Sequence, residues 1–120
     1  MSKGRLSLAV GTLAGAPLLE AAGDVDFATL GELNDAVRQV LGKGSEITLL
    51  DLRRVRSMDA GAAGTLIEAC RSLGPGRKLC AIARGQSEQV LRKVRLDSMM
   101  FVVGDADAAA ELVRRVNSER

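Results

Sequence analysis

Four aspartates come closest to a catalytic pattern in this chain: Asp24, Asp26, Asp51 and Asp59. They could cluster at one end of a sheet, and clustered carboxylates can hold Mg²⁺. Asp26 and Asp59, however, each stand just before a helical pattern, where a carboxylate accepts hydrogen bonds from free helix N–H groups. Helix capping explains them with fewer assumptions, so we expect neither a metal site nor a catalytic site.

Other catalytic and binding chemistry is largely excluded by composition. The chain contains no histidine, so it has no Ser-His or Cys-His pair, and no Gly-x-x-x-x-Gly-Lys phosphate loop occurs. Residues 61–64, Gly-Ala-Ala-Gly, only distantly echo a dinucleotide-binding turn. The net charge is +2, and Arg92, Lys93 and Arg95 form too weak a basic set to indicate a nucleic acid or a membrane surface. We therefore expect no enzyme, no cofactor and no nucleic-acid partner.

The two cysteines, Cys70 and Cys80, form neither a disulfide framework nor a zinc motif. Each is typical of a small buried residue, and a redox switch between them is the alternative. No apolar run approaches about 18 residues, and the N-terminus lacks the layout of a signal peptide. We expect residues 1–120 to form one cytoplasmic domain without membrane insertion.

The most informative stretch is residues 47–70. An apolar, β-branched run over residues 47–52 predicts a strand, and a short basic loop follows with Arg53, Arg54 and Arg56. Asp59 then precedes a run of small residues that predicts a helix with an almost bare first turn. A bare helix start either packs tightly under a neighbouring loop or forms a contact surface.

This order of strand, Asp-Leu, loop, Met-Asp-x-x-x-x-Gly and helix resembles the centre of the STAS domain, a family that includes the bacterial anti-sigma factor antagonists. The residues that fall on the family pattern are Asp51, Leu52, Val55, Met58, Asp59 and Gly64. Upstream, residues 23–26 match the family's Gly-x-Leu-Asp. The resemblance covers nearly the whole chain, because both motifs stand in the expected order at plausible spacing.

The resemblance implies an anti-sigma factor antagonist that binds an anti-sigma factor of the ATP-binding serine-kinase type and releases its sigma factor. The implied contact surface is the loop 23–27 with the helix start, and it includes Asp26, Met58, Asp59, Ala60, Gly61, Ala62 and Gly64. The alternative is a STAS regulatory subunit of an ATP-binding-cassette lipid transporter, whose motif can read Asp-Thr-Gly-Gly; Gly61 matches its first glycine. A homodimer is left open.

The family's phosphorylated serine lies two residues after the motif aspartate, and this position is Gly61 here. Ala60 replaces the serine before it, so neither residue can accept phosphate. Thr65 and Ser57 are candidate substitutes, although a packed helical threonine and an ordinary loop serine explain them as well.

The elements that must position these residues follow a β-β-α-β-α-β-α-β-α order. Strands are predicted at 6–10, 17–23, 46–52, 79–83 and 99–103, with a hairpin turn at 11–17, and helices at 29–41, 60–73 and 87–94 and after Asp105 or Asp107. This alternation predicts an α/β fold: a small mixed, mostly parallel sheet with an N-terminal β-hairpin and about four helices packed on it. Met99, Met100 and Phe101 are expected in the core.

Overall fold

The computed structural model describes residues 6–119, and its elements follow the predicted order. The strands are β1 (Leu6–Leu13), β2 (Ala16–Val25), β3 (Ile47–Met58), β4 (Lys78–Ile82) and β5 (Phe101–Val103). The helices are α1 (Leu30–Leu41), α2 (Ala60–Arg71), α3 (Gly85–Lys93) and α4 (Ala106–Ser118), with a 3₁₀ turn at Leu96–Ser98. The predicted α/β fold is therefore confirmed.

The sheet has the strand order β1-β2-β3-β4-β5, in which only the β1-β2 pair is antiparallel. Leu50 and Leu52 of β3 enter the larger core, with α1, α2 and α3. Leu49 of the same strand enters a second core, where Ala109 and Val113 of α4 cover it. Both faces of β3 are thus buried over residues 47–52, as the continuous apolar run predicted.

The N-terminal hairpin closes more tightly than predicted. The connection is not residues 11–17 but only Ala14 and Gly15, at φ +54° and +87°. Two consecutive positive φ angles are typical of the two-residue turns that match the twist of a hairpin. Gly11 pairs with Leu18 in the ladder, because β1 is an edge strand and an edge strand tolerates glycine. Pro17 belongs to β2, because a strand tolerates proline near its first residue.

Strands β2 and β3 are longer than predicted, and this changes two predicted loops. The loop 23–27 begins only after Val25, and the basic segment after Leu52 continues as strand to Met58, which pairs with Val25. Bulges between Glu20 and Ala22 and between Gly23 and Asp24 keep the strands paired. Ladder hydrogen bonds outweigh the low strand propensity of glycine and aspartate, so the three arginines are strand residues.

The longer pair of strands creates a projecting end of the sheet. Strand β4 pairs with β3 only as far as Asp51, so β3 continues seven residues beyond it beside β2. The turn into α1 and the start of α2 both leave from this end. Among residues 6–119, no helix is both long enough and apolar enough to cross a membrane.

One predicted part of the core is wrong. Met100 is buried, but Met99 and Phe101 are 42% and 39% exposed. Met99 ends the 3₁₀ turn before β5, and Phe101 is the first residue of β5, an edge strand with a strand neighbour on one side only among the described residues. A turn residue and an edge-strand residue are covered by fewer neighbours than a residue of a central strand, so both side chains remain partly exposed.

Candidate partner-binding surface

The start of α2 is fastened to the projecting strand ends through Asp59. The Asp59 N–H donates to the carbonyl of Val25 at 3.3 Å. Its Oδ1 accepts from the N–H of Ala62 at 3.1 Å, so Asp59 is the N-cap that the sequence predicted. The cap fixes where the first turn of α2 stands relative to the end of β2.

The turn into α1 is cross-linked by the side chains predicted to cap it. Asp26 Oδ1 accepts from the N–H groups of Ala28 at 2.9 Å and Thr29 at 3.2 Å. Thr29 stands at the N-cap position, but its hydroxyl donates back to the carbonyl of Asp24 at 2.9 Å instead of capping α1. The turn is therefore held to the end of β2 by side-chain hydrogen bonds.

The first turn of α2 carries almost no side chains and is consistent with both alternatives raised by the sequence, tight packing and a contact surface. A Cβ atom at Gly61 would lie 3.3 Å from Asp59 Oδ1 and 3.3 Å from Leu30 Cδ2, so this glycine permits close packing of α1 on α2. At Gly64 a Cβ atom would meet nothing within 4 Å. Ala60, Gly61 and Gly64 are all exposed, so the same turn also presents an open surface.

Two residues of the predicted surface are buried and offer no side chain to a partner. Met58 is 4% exposed and Ala62 is fully buried, and both belong to the larger core. Both end up inside because they lie on the faces of β3 and α2 that pack together beneath the surface. The predicted residues that remain accessible are Asp26, Asp59, Ala60, Gly61 and Gly64.

Sequence reasoning did not single out Phe27, which the structure leaves exposed on this surface. Its side chain is 91% exposed, the largest exposed fraction of any large hydrophobic residue described. It borders a shallow groove between α1 and α2 that is lined by Phe27, Leu30, Gly31, Asn34, Gly64, Thr65 and Glu68. The available signal was its place outside the apolar stripe of α1, directly after Asp26.

The two candidate phosphorylation sites occupy different surroundings. Ser57 is half-buried, and its hydroxyl donates to Asp24 Oδ1 at 3.0 Å, while Arg56 Nη2 donates to Asp24 Oδ2 at 3.1 Å. Thr65 lines the α1-α2 groove one turn along from Gly61. A charge added at Thr65 would therefore enter the candidate surface itself.

The arginines of β3 are not equivalent. Arg53 forms a bidentate ion pair with Asp51, Nε to Oδ1 at 3.0 Å and Nη2 to Oδ2 at 2.8 Å. Burial alone would raise the pKa of Asp51, but the hydrogen bonds and charge of Arg53 outweigh it and hold that pKa below its ordinary value. The four aspartates are thus engaged separately, and residues 6–119 contain no acidic or sulfur cluster that could hold a metal ion.

The two cysteines lie on opposite faces of the sheet. Cys70 is a half-buried residue of α2 that packs against the larger core. Cys80 of β4 is fully buried in the second core, facing α4. Burial raises the pKa of both thiols, and that of Cys80 to about 11. Both cysteines are free in this structure, and the redox switch considered from the sequence stays a prediction.

Comparison with known proteins agrees with the fold described above. Residues 8–114 match a family described as "Mlab, STAS domain". An anti-sigma factor antagonist from Mycobacterium paratuberculosis superimposes with a TM-score of 0.86 at 20% identity, over 92% of this chain and 96% of that one. A putative anti-sigma factor antagonist from Thermotoga maritima gives 0.73 at 18% identity, over 89% and 94%.

Bacillus SpoIIAA in its unphosphorylated form, also an anti-sigma factor antagonist, gives a TM-score of 0.69 at 14% identity, over 90% of this chain and 98% of that one. At such identities the likeness to solved structures establishes a shared fold. No curated protein sequence matches. The family match spans most of the chain, and the chain therefore belongs to the STAS domain family.

Proposed function

We propose that this chain is a cytoplasmic, non-enzymatic anti-sigma factor antagonist that acts as one STAS domain. In this proposal it binds an anti-sigma factor of the serine-kinase type and thereby releases that factor's sigma factor. The observation that carries the proposal is the exposed, small-residue start of α2 on the projecting strand ends, in a fold shared with anti-sigma factor antagonists.

Gly61 would make this antagonist insensitive to phosphorylation at the family position. A phosphate adds about −1.5 to −2 charge and three acceptor oxygens, which is enough to repel or reposition a partner. Glycine has no hydroxyl to receive it, so binding would respond to the amount of the chain rather than to a kinase acting there. Control by phosphorylation would then have to act through another hydroxyl, of which Thr65 borders the surface.

The second candidate function is a regulatory subunit of an ATP-binding-cassette lipid transporter. It is favoured by Gly61, which matches the first glycine of the motif version found in those STAS proteins, and by the lack of a serine there. Both functions use the same surface against an ATP-binding protein, so the identity of that protein separates them.

The test is an affinity pull-down of the tagged chain from its host's lysate, with and without ATP, read by mass spectrometry. Gly64→Arg is the informative variant, because its side chain starts in open space and projects into the proposed contact. Gly74→Arg is the matched control: a Cβ atom there also meets nothing within 4 Å, but the residue follows the far end of α2.

We expect the wild type and Gly74→Arg to recover a kinase-type anti-sigma factor equally with and without ATP. Gly64→Arg should lose it while keeping an unchanged far-UV circular dichroism spectrum. Loss of the partner on adding ATP would instead indicate a substitute phosphorylation site such as Thr65 or Ser57. Recovery of a transporter ATPase would contradict the proposal in favour of the second function.

A further inference from the structure

Phe27 is an aromatic residue that the fold does not use. It is 91% exposed and belongs to neither hydrophobic core. The chain contains only two phenylalanines and no tryptophan or tyrosine, and the other one, Phe101, is 39% exposed. Half of the aromatic residues of this protein thus lie at one point of the proposed contact surface, where burial against a partner is the remaining source of stabilisation.

The segment that presents Phe27 is held by hydrogen bonds made within this chain alone. Asp26 Oδ1 accepts from the N–H groups of the two residues after Phe27, and the N–H of Asp26 donates to Thr29 Oγ1 at 3.1 Å. The Thr29 N–H also donates to the carbonyl of Asp26 at 3.1 Å. These bonds close a loop around Phe27, so little backbone entropy remains to be lost when the ring is buried.

The groove beside the ring carries one charged side chain, and the Asp26 carboxylate next to Phe27 is engaged by the N–H groups of Ala28 and Thr29. Ala28, Gly31 and Gly64 leave room for the rim of a pocket to approach on either side. Glu68 is the one charged residue lining the groove in the described chain, and Arg71 Nη1 lies 3.7 Å from its carboxylate. No strong charge therefore opposes an apolar partner surface at this point.

We propose that Phe27 is the anchor of the interface and inserts into an apolar pocket on the anti-sigma factor. The inference rests on the proposed function and adds to it the residue that carries most of the binding energy. Interface energy is commonly concentrated in a few aromatic or arginine side chains near the centre, ringed by contacts that exclude water. The small residues around Phe27 supply such a ring.

The first measurement is affinity for the purified serine-kinase-type anti-sigma factor obtained by the pull-down, using isothermal titration calorimetry. Phe27→Ala should raise Kd at least about 30-fold, the threshold of about 2 kcal/mol for a hot spot. Its melting temperature should match the wild type, because the ring is 91% exposed and belongs to neither core. Phe101→Ala, the same substitution at the β5 edge of the sheet, should change Kd less than about threefold.

The second measurement follows both rings directly by ¹⁹F NMR. A chain labelled with fluorophenylalanine gives two resonances, which Phe101→Leu assigns, and an unlabelled partner adds none. On titration the Phe27 signal should shift or broaden strongly, while the Phe101 signal stays nearly unchanged. A Phe27 signal that does not move in the saturated complex would overturn the inference.

The anchor and the proposed function fail in different ways. If Gly64→Arg abolishes binding but Phe27→Ala leaves Kd within about threefold, the surface is right and the anchor is wrong. If the unaltered chain shows no affinity for the anti-sigma factor, the proposed function itself fails and the anchor fails with it.

Discussion

The Asp51–Arg53 ion pair allows a quantitative test of the electrostatics of β3. The Asp51 side chain is 11% exposed. It accepts three hydrogen bonds, all from Arg53: two from the guanidinium and one from the backbone N–H at 3.1 Å. Replacing Arg53 by alanine removes the guanidinium bonds and keeps the backbone bond.

The expected loss of stability lies between two limits. Breaking a fully buried ion pair costs about 3–5 kcal/mol, and a typical exposed pair contributes about 0–1 kcal/mol. The Arg53 side chain is 34% exposed and one hydrogen bond survives, so we expect about 2 kcal/mol at pH 7. With an m-value of about 2 kcal/mol per molar, the urea midpoint should fall by roughly 1 M.

The pH dependence of the stability distinguishes loss of the ion pair from loss of packing by the arginine side chain. In the wild type the folded pKa of Asp51 lies below its ordinary value of 3.8, so the stabilisation is present above about pH 4 and is lost as the pH falls through the folded pKa. In Arg53→Ala the guanidinium no longer opposes the effect of burial, so the folded pKa of Asp51 rises above that of the wild type. Protonation of Asp51 then relieves the penalty of burying its charge. The difference in free energy of unfolding between the wild type and Arg53→Ala should therefore shrink from pH 7 towards pH 3.

Two controls accompany Arg53→Ala in urea unfolding at several pH values. Arg92→Ala removes two exposed ion pairs, with Glu88 at 3.0 Å and with Asp97 at 3.5 Å, and should cost under about 1 kcal/mol. Arg53→Ala combined with Asp51→Asn should lose the pH dependence of the single variant. A destabilisation by Arg53→Ala that is equal at pH 7 and pH 3 would refute the reasoning and assign the loss to packing of the arginine stem.

Two further predictions concern buried groups. Thr48 is 1% exposed, and its hydroxyl has no hydrogen-bond partner among the described residues. Because an unpaired buried hydroxyl is destabilising, Thr48→Val should stabilise the fold by about 1 kcal/mol. A lower melting temperature of the variant would show that the hydroxyl has a partner. At pH 8 a thiol reagent should modify half-buried Cys70 before Cys80. The raised pKa and full burial of Cys80 should delay its reaction until the protein unfolds. Equal modification rates of the two thiols in the native protein would contradict this placement.

The order of elements was predictable because periodicity reports which faces are buried. The stripe of Leu33, Val37 and Val40 marked α1, and the continuous apolar run marked β3. The ends of elements were less predictable, since β3 runs through three arginines that sequence propensity assigns to a loop. Its continuation depends on bulged pairing with β2, a partner that is distant in sequence and leaves no local signal.

The motif placed the candidate site at the start of α2 and the loop before α1, and that location stays a prediction. What the sequence could not report is which of its residues are accessible, since Met58 and Ala62 are buried in the larger core. Their burial depends on how α2 lies against the sheet, which no local pattern reports. The exposure of Phe27 likewise becomes evident only when both cores are complete without it.

Gly61 links the packing of this surface to its proposed regulation. A side chain at this position would start 3.3 Å from Leu30 at the beginning of α1 and 3.3 Å from the carboxylate that caps α2. A serine at this position, as the STAS resemblance implies, would therefore require Leu30 or the cap to shift. In this chain a glycine at position 61 accompanies the close approach of α1 and α2. For that reason we expect the contact surface of this chain to be set by its shape and not switched at position 61.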